Sequence, residues 1–349
     1  MKKTFFAILS LALLSCMQPL EKKSTTQNYV LKGTINGEFD DYIKIKYDNQ
    51  LDSVEVINNI FLFEGEVNSP SAFRFQFDSI NSSEVFYLEN DTLIFDIIID
   101  EPQLEGDVFK DYNIKQLNGG ETPKLKTYLS DFIASTSKSK KNRDLILNKM
   151  DSLIKVYPNH DYLGKVLSEM SMKQDLLYND IRSLVSKLDV DKLSSQDVDI
   201  LEKYQNKRRK YQIGSQIPSF DLISITGDTV DLKSDFSKYN LIQFWNSWCE
   251  KCKDQQEELL QVYQNYNFKG FEIISVSLDT NREDWLTAVS QKSVPWTSLR
   301  VKNGFTGELP TEMGITDLPQ YYLVDKNGRI IEINLSINEL NTILSALMN

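Results

Sequence analysis

The sequence predicts three parts in series: a small all-β, sandwich-like domain, a helical connecting segment, and a C-terminal α/β domain with helices on both faces of a mixed sheet. Three observations predict this. Apolar and polar residues alternate over 29–120, apolar residues recur every third or fourth position over 121–212, and 213–349 alternates strand-like with helix-like runs. A chain of 349 residues also has room for about two cores, at roughly 150 residues each.

The N-terminus reads as an export signal. MKKTFFAILSLALLSC begins with Lys2 and Lys3, continues through the apolar run Phe5–Leu14 and ends at Ser15 and Cys16. A run of that length is too short to span a bilayer, which takes about 20 apolar residues. Leu13-Leu14-Ser15-Cys16 resembles the lipobox of bacterial lipoproteins. The resemblance implies that 1–15 is a signal peptide, cleaved to leave Cys16 lipidated at the head of a polar tether, 16–28. An ordinary secretory signal and an uncleaved anchor are the alternatives. Met17 and Gln18 stand where many inner-membrane lipoproteins carry a retaining aspartate. The expected localisation is therefore the cell envelope, on the periplasm-facing outer membrane.

In the next part Ile43, Ile45 and Tyr47 alternate with lysines, and Phe73, Phe75 and Phe77 with Arg74 and Gln76. Each run has one apolar face, as a half-buried strand does. Val30–Ile35, Val54–Val56, Phe61–Phe63, Val85–Leu88 and Leu93–Ile99 are further short strands between Asn, Asp, Gly and Ser turns. An antiparallel sandwich or barrel is expected. Its polar residues have no catalytic spacing, so it reads as a scaffold, spacer or docking module.

The period then changes. Ile146, Met150, Leu153 and Tyr157 recur at helical spacing, as do Leu177, Ile181, Leu184, Val185 and Leu188. Pro158 stops one helix, and Asn159 or Asp161 is placed to cap the next. Met150, Met170 and Met172 read as core filler and His160 as a loop or cap residue. Lys207-Arg208-Arg209-Lys210 reads as a solvated face or linker ahead of the last domain.

Within 213–349, Leu241–Trp245 is a buried-type strand, Gln255–Tyr266 a helical run and Phe271–Leu278 a second strand. Helical Glu283–Gln291 and the strand Tyr321–Val324 follow. Asn327-Gly328 is a hairpin turn into Ile330–Ile333, and Asn338–Met348 makes a terminal helix.

Composition narrows the chemistry. Lys and Arg number 39 against 50 Asp and Glu, a net charge of −11, which offers nucleic acid no electrostatic attraction. At 41% hydrophobic and 11% aromatic the chain is not a disordered polymer. One histidine and three cysteines, Cys16, Cys249 and Cys252, exclude His-rich zinc sites, four-thiolate sites and iron–sulfur clusters held by this chain alone. No metal and no separate cofactor are expected.

The chemistry concentrates in Phe244-Trp245-Asn246-Ser247-Trp248-Cys249-Glu250-Lys251-Cys252. A strand ends, and two cysteines follow three positions apart where a helix begins. On a first helical turn their sulfurs can join in a small, easily opened disulfide. The free N–H groups and partial positive charge of a helix N-terminus favour a thiolate. Cys249, nearer the end, is the expected attacking thiol and Cys252 the resolving one. A zinc half-site would need two further ligands, and a structural disulfide closing so short a loop would restrict the unfolded chain little. A redox pair is the better reading.

At these residues the sequence resembles the TlpA/ResA-type thiol–disulfide oxidoreductases of the thioredoxin superfamily, grouped with the AhpC/TSA proteins. Ile213-Gly214-Ser215-Gln216-Ile217-Pro218-Ser219-Phe220 looks like the family's opening segment, Trp248-Cys249-x-x-Cys252 like its active site, and Ile315-Thr316-Asp317-Leu318-Pro319-Gln320 like its cis-proline segment. The resemblance covers about 213–335. It implies a thioredoxin-like fold, with Pro319 against the disulfide and the Leu318 backbone pairing with an extended substrate. A plain turn is the alternative for Pro319. Trp248 and Trp245 are expected to shield the site or to sit in the core.

Two departures matter. Lys251 replaces the proline many relatives carry before the second cysteine, and Gln243, which takes no proton, replaces the buried aspartate of thioredoxins. Asp279 is the nearest substitute acid, or an ordinary strand-end residue. The implied partners are exported proteins bearing disulfides or thiols, and an unidentified membrane electron donor or acceptor. A thiol peroxidase is a second reading; Asn246 and Ser247 occupy the stretch where peroxiredoxins carry threonine. A third is a lipoprotein docking module with a vestigial redox site.

Overall fold

The structure, a computed structural model, describes residues 27–39, 42–47, 50–77, 81–101, 103–104, 107–108, 110–136, 138–292 and 294–348. The leader and Cys16, with most of the tether, lie outside the described residues.

The alternating segment forms β1 (Tyr29–Asn36), β2 (Tyr42–Tyr47), β3 (Gln50–Glu55), β4 (Ile60–Gly65), β5 (Ser71–Gln76), β6 (Phe86–Leu88), β7 (Thr92–Asp100), the short pair β8 (Gln103–Leu104) and β9 (Asp107–Val108), and β10 (Asp111–Asn118). Two four-stranded sheets, ordered β10-β7-β1-β4 and β3-β2-β5-β6, share one core. The period-2 pattern decides what goes in: Ile43 and Ile45 are buried while Lys44 and Lys46 are exposed. Phe75 and Phe86 each meet Phe95 edge-on, with centroids 5.2 and 5.0 Å apart. The sandwich is not purely antiparallel, as the sequence had suggested. β1 pairs in parallel with β7, Val30 opposite Thr92. A tight turn cannot join parallel neighbours, and the strands between them supply the crossover through the second sheet.

Five helices follow: α1 (Thr122–Ala134), α2 (Lys140–Val156), α3 (Asp161–Lys173), α4 (Tyr178–Val185) and α5 (Ser195–Lys210). Their apolar stripes meet around Met150, Leu163, Leu167, Ile181 and Leu184. His160, rather than Asn159 or Asp161, is the N-cap position of α3. Asp161 instead accepts the Ser194 amide at 2.8 Å. Buried Glu89 of the β domain accepts the Glu121 and Thr122 amides at 2.7 and 2.8 Å. A carboxylate from one part thus caps the first helix of the next.

The helical segment is more than a connector. Buried Arg143 bonds Glu332 Oε1 at 3.2 Å and the Ile333 carbonyl at 3.1 Å. Glu339 accepts the Lys140 and Lys141 amides, both at 3.1 Å, at the start of α2. Both contacts fasten the helices to the last domain.

That domain comprises β11 (Asp221–Ser224), β12 (Thr229–Asp231), β13 (Tyr239–Trp245), α6 (Glu250–Asp254), α7 (Gln256–Tyr266), β14 (Phe271–Ser277), α8 (Arg282–Lys292), β15 (Thr297–Arg300), α9 (Glu308–Met313), β16 (Gln320–Asp325), β17 (Ile330–Ile333) and α10 (Ile337–Leu347). The strand order is β12-β11-β15-β14-β13-β16-β17. β13 runs parallel to β14 and antiparallel to β16. Its run of apolar residues is continuous because both faces are covered. Leu241 packs with Leu259 and Leu340 on one side, and Ile242 and Phe244 with Trp285 and Tyr322 on the other. The predicted Asn327-Gly328 turn joins β16 to β17, with Gly328 at φ 80° and Asp325 accepting the Asn327 and Arg329 amides.

Candidate active site

The strand pairing brings two loops to one end of the sheet. Phe244, near the end of β13, lies opposite Gln320, which opens β16. The chain leaving β13 through Asn246, Ser247 and Trp248 therefore meets the chain arriving through Leu318 and Pro319. Leu318 shares a buried cluster with Cys249 and Cys252, and the Leu318–Pro319 peptide is cis.

Cys249 and Cys252 are joined by a disulfide, with Cα atoms 5.3 Å apart. Cys249 is the N-cap of α6, and its sulfur accepts the Cys252 amide at 3.1 Å. This is where a capping oxygen normally sits, so an N–H and the helix dipole both face the sulfur. Cys249 is 7% exposed and Cys252 3%, so both are buried and Cys249 is the slightly more exposed residue.

Asp279 follows β14 and is buried. It accepts the Ser247 amide at 3.0 Å and the Ser247 and Ser277 hydroxyls, both at 2.7 Å. The carboxylate thus clamps the loop ahead of Cys249, and its hydrogen bonds go to serines rather than to either cysteine. Behind Cys252 lies a cavity of about 20 Å³, lined in part by Gln243, Trp245, Gln256, Ser275 and Trp296. Every one of these groups is neutral. Tyr321 donates to Gln255 Oε1 at 2.8 Å, and burial pushes its hydroxyl pKa up, so it too is uncharged.

The two tryptophans divide. Trp245 is buried in the core, whereas Trp248 is 66% exposed beside Phe305, with centroids 6.4 Å apart. Gln255, Tyr321 and Ser247 were not anticipated from the sequence. Ser247 was detectable in principle, as a short polar residue between two tryptophans ahead of a cysteine. Gln255 and Tyr321 meet only across a helix and a strand 66 residues apart.

Comparison with known proteins follows this division of the chain. A thioredoxin-like family model matches residues 237–330, and a domain of unknown function, DUF4369, matches 29–145. The thiol-disulfide oxidoreductase ResA of Bacillus cereus is 28% identical over 133 residues, covering 38% of this chain and 75% of the relative. ResA of Oceanobacillus iheyensis is 28% identical over 138 residues, covering 38% and 70%. Among solved structures, the thioredoxin domain of a thiol-disulfide oxidoreductase from Bacteroides vulgatus is 28% identical with a TM-score of 0.37, over 40% of this chain and 99% of that one. The C-terminal domain of a putative thiol-disulfide oxidoreductase from Bacteroides thetaiotaomicron is 27% identical with a TM-score of 0.38, over 40% and 97%.

A thioredoxin-like sheet with a Cys-x-x-Cys disulfide at its helix start defines the C-terminal region as a thiol-disulfide oxidoreductase. Within that class the region is TlpA/ResA-like, similar to the ResA thiol-disulfide oxidoreductases over that stretch.

Proposed function

We propose that the protein is lipid-anchored through Cys16 in the cell envelope and exchanges electrons with disulfides of exported proteins. The observation that supports the chemistry best is the Cys249 sulfur at a helix N-cap, bonded to a more deeply buried Cys252. In the reductive direction the Cys249 thiolate attacks a substrate disulfide. One substrate sulfur leaves as a thiolate and takes a proton, and the other is held in a mixed disulfide. Cys252 then loses its proton and attacks Cys249, which releases the second substrate thiol and closes the Cys249–Cys252 disulfide. Two electrons pass to the substrate, and a membrane dithiol donor restores the reduced pair. Exposed Trp248 and the Leu318 backbone form the docking face.

The anchoring reading rests on the leader and on Leu13-Leu14-Ser15-Cys16. Among the described residues no helix is long and apolar enough to cross a membrane, so the lipid is the proposed tether. A Cys252→Ser variant expressed with its leader should accumulate mixed disulfides with exported proteins. If that variant traps nothing and wild type leaves insulin unreduced, the proposal fails.

A further inference from the structure

Residues 313–320, which lead into β16, are fastened by the helical segment. Arg208 of α5 is 3% exposed. Its Nη1 donates to Gln174 Oε1 and to the Met313 carbonyl, both at 3.0 Å. Its Nη2 donates to the Met172 and Gly314 carbonyls at 3.1 and 2.8 Å. Met313 and Gly314 end α9, where unpaired carbonyls carry the negative end of the helix dipole. The guanidinium fork therefore ties the end of α9 to the end of α3.

Gln174 is the hub of this contact. It caps α3 in the left-handed conformation, φ 57°, and is 4% exposed. Its Oε1 also accepts the Tyr322 hydroxyl at 3.2 Å, and its carbonyl accepts Asn334 Nδ2 at 3.3 Å. Tyr322 in turn accepts Gln320 Nε2 at 3.4 Å, one residue beyond Pro319. Nearer the surface, Thr316 donates to the Met172 carbonyl and Lys138 pairs with Asp317 at 2.9 Å.

We infer that Gln174 and Arg208 are positioning residues for substrate docking. They hold Ile315–Gln320 against the Cys249 loop, so that an extended peptide meets the Leu318 backbone in one fixed place. Neither residue bonds the sulfurs, so reactivity at Cys249 does not depend on them. The inference rests on the thiol–disulfide exchange proposed above and assigns part of the substrate site to the helical segment. Lysine cannot replace the arginine, because it carries the charge without the planar fork.

The test compares the full chain with Arg208→Lys, Gln174→Gly and Arg209→Lys. Glycine adopts positive φ freely, so Gln174→Gly removes the amide without straining the turn. Arg209→Lys makes the same chemical change at an exposed neighbour. Two substrates are used: an extended peptide disulfide, and 5,5′-dithiobis(2-nitrobenzoate), which needs no strand docking. Arg208→Lys and Gln174→Gly should raise KM for the peptide about ten-fold, with kcat and the small-disulfide rate within about two-fold of wild type. Amide hydrogen exchange at Ile315–Leu318 should quicken about ten-fold, and Arg209→Lys should change nothing. Equal losses on both substrates, or unchanged KM and exchange in folded variants, would overturn the inference. If wild type reacts with neither disulfide, the oxidoreductase reading fails, and hydrogen exchange still decides whether the loop is held from the helices.

Discussion

The two loops that flank the disulfide are held in opposite ways. The loop before Cys249 is pinned within its own domain, by Asp279 on Ser247. The loop through Leu318 and Pro319 is pinned from outside it, by Arg208 and by Lys138. The Cys249 loop is thus held within its own domain, while the Leu318–Pro319 loop, the proposed docking loop, is held by the helices. On the roles proposed above, electron exchange and substrate choice would rest on separate supports.

The largest expected effect breaks the tie between the helices and the last domain. Arg143→Ala leaves Glu332 charged and buried without its cation, and breaking such a pair typically costs about 3–5 kcal/mol. Denaturant unfolding should show that loss over the helical and C-terminal parts together. Loss confined to the helices would separate the two regions and weaken the comparison.

Next comes the loop of the nucleophile. Asp279→Ala strands the half-buried Ser247 amide and hydroxyl and the buried Ser277 hydroxyl, and an unsatisfied buried donor costs about 1–3 kcal/mol. Stability should fall by about that much, and exchange with both peptide and small disulfides should slow. An effect on the peptide alone would assign Asp279 to docking instead.

A smaller effect comes from the junction between the β domain and the helices. His160 packs among the Tyr87, Tyr157 and Tyr162 rings, with Nε2 3.2 Å from the Thr122 hydroxyl. Burial lowers its pKa from 6.5 to about 4. The unfolded chain takes up a proton near pH 6.5 that the folded chain refuses, so this stability is present above pH 6.5 and drains away toward pH 4. Between pH 7 and pH 5 wild type should lose about 1–2 kcal/mol that His160→Gln does not lose. Parallel curves for the two proteins would show that His160 is not the cause.

Sequence reasoning succeeded where the signal is local. Alternation at Ile43 and Ile45, the helical spacing from Ile146 to Leu153, and the Cys249–Cys252 spacing each report their immediate surroundings. It fell short where the partner is distant. Lys207-Arg208-Arg209-Lys210 reads as a solvated run, yet Arg208 is buried because α5 turns that one residue onto the ends of α3 and α9. The parallel pairing of β1 with β7 leaves no trace in either strand's pattern. β15 was missed because Thr297-Ser298-Leu299-Arg300 holds one large apolar residue. α9 was missed because Pro310 lies inside it, in the first turn, where no helical N–H is lost.

The central claim is that Cys249 and Cys252 form an exchanging redox pair. The most direct test is the reduction potential of that pair, measured by equilibrating the full chain with dithiol buffers at pH 7. An exchanging pair gives one reversible two-electron transition between roughly −120 and −270 mV, the range of proteins that exchange disulfides. A pair still oxidised below roughly −300 mV would be a structural disulfide and would contradict a role in exchange.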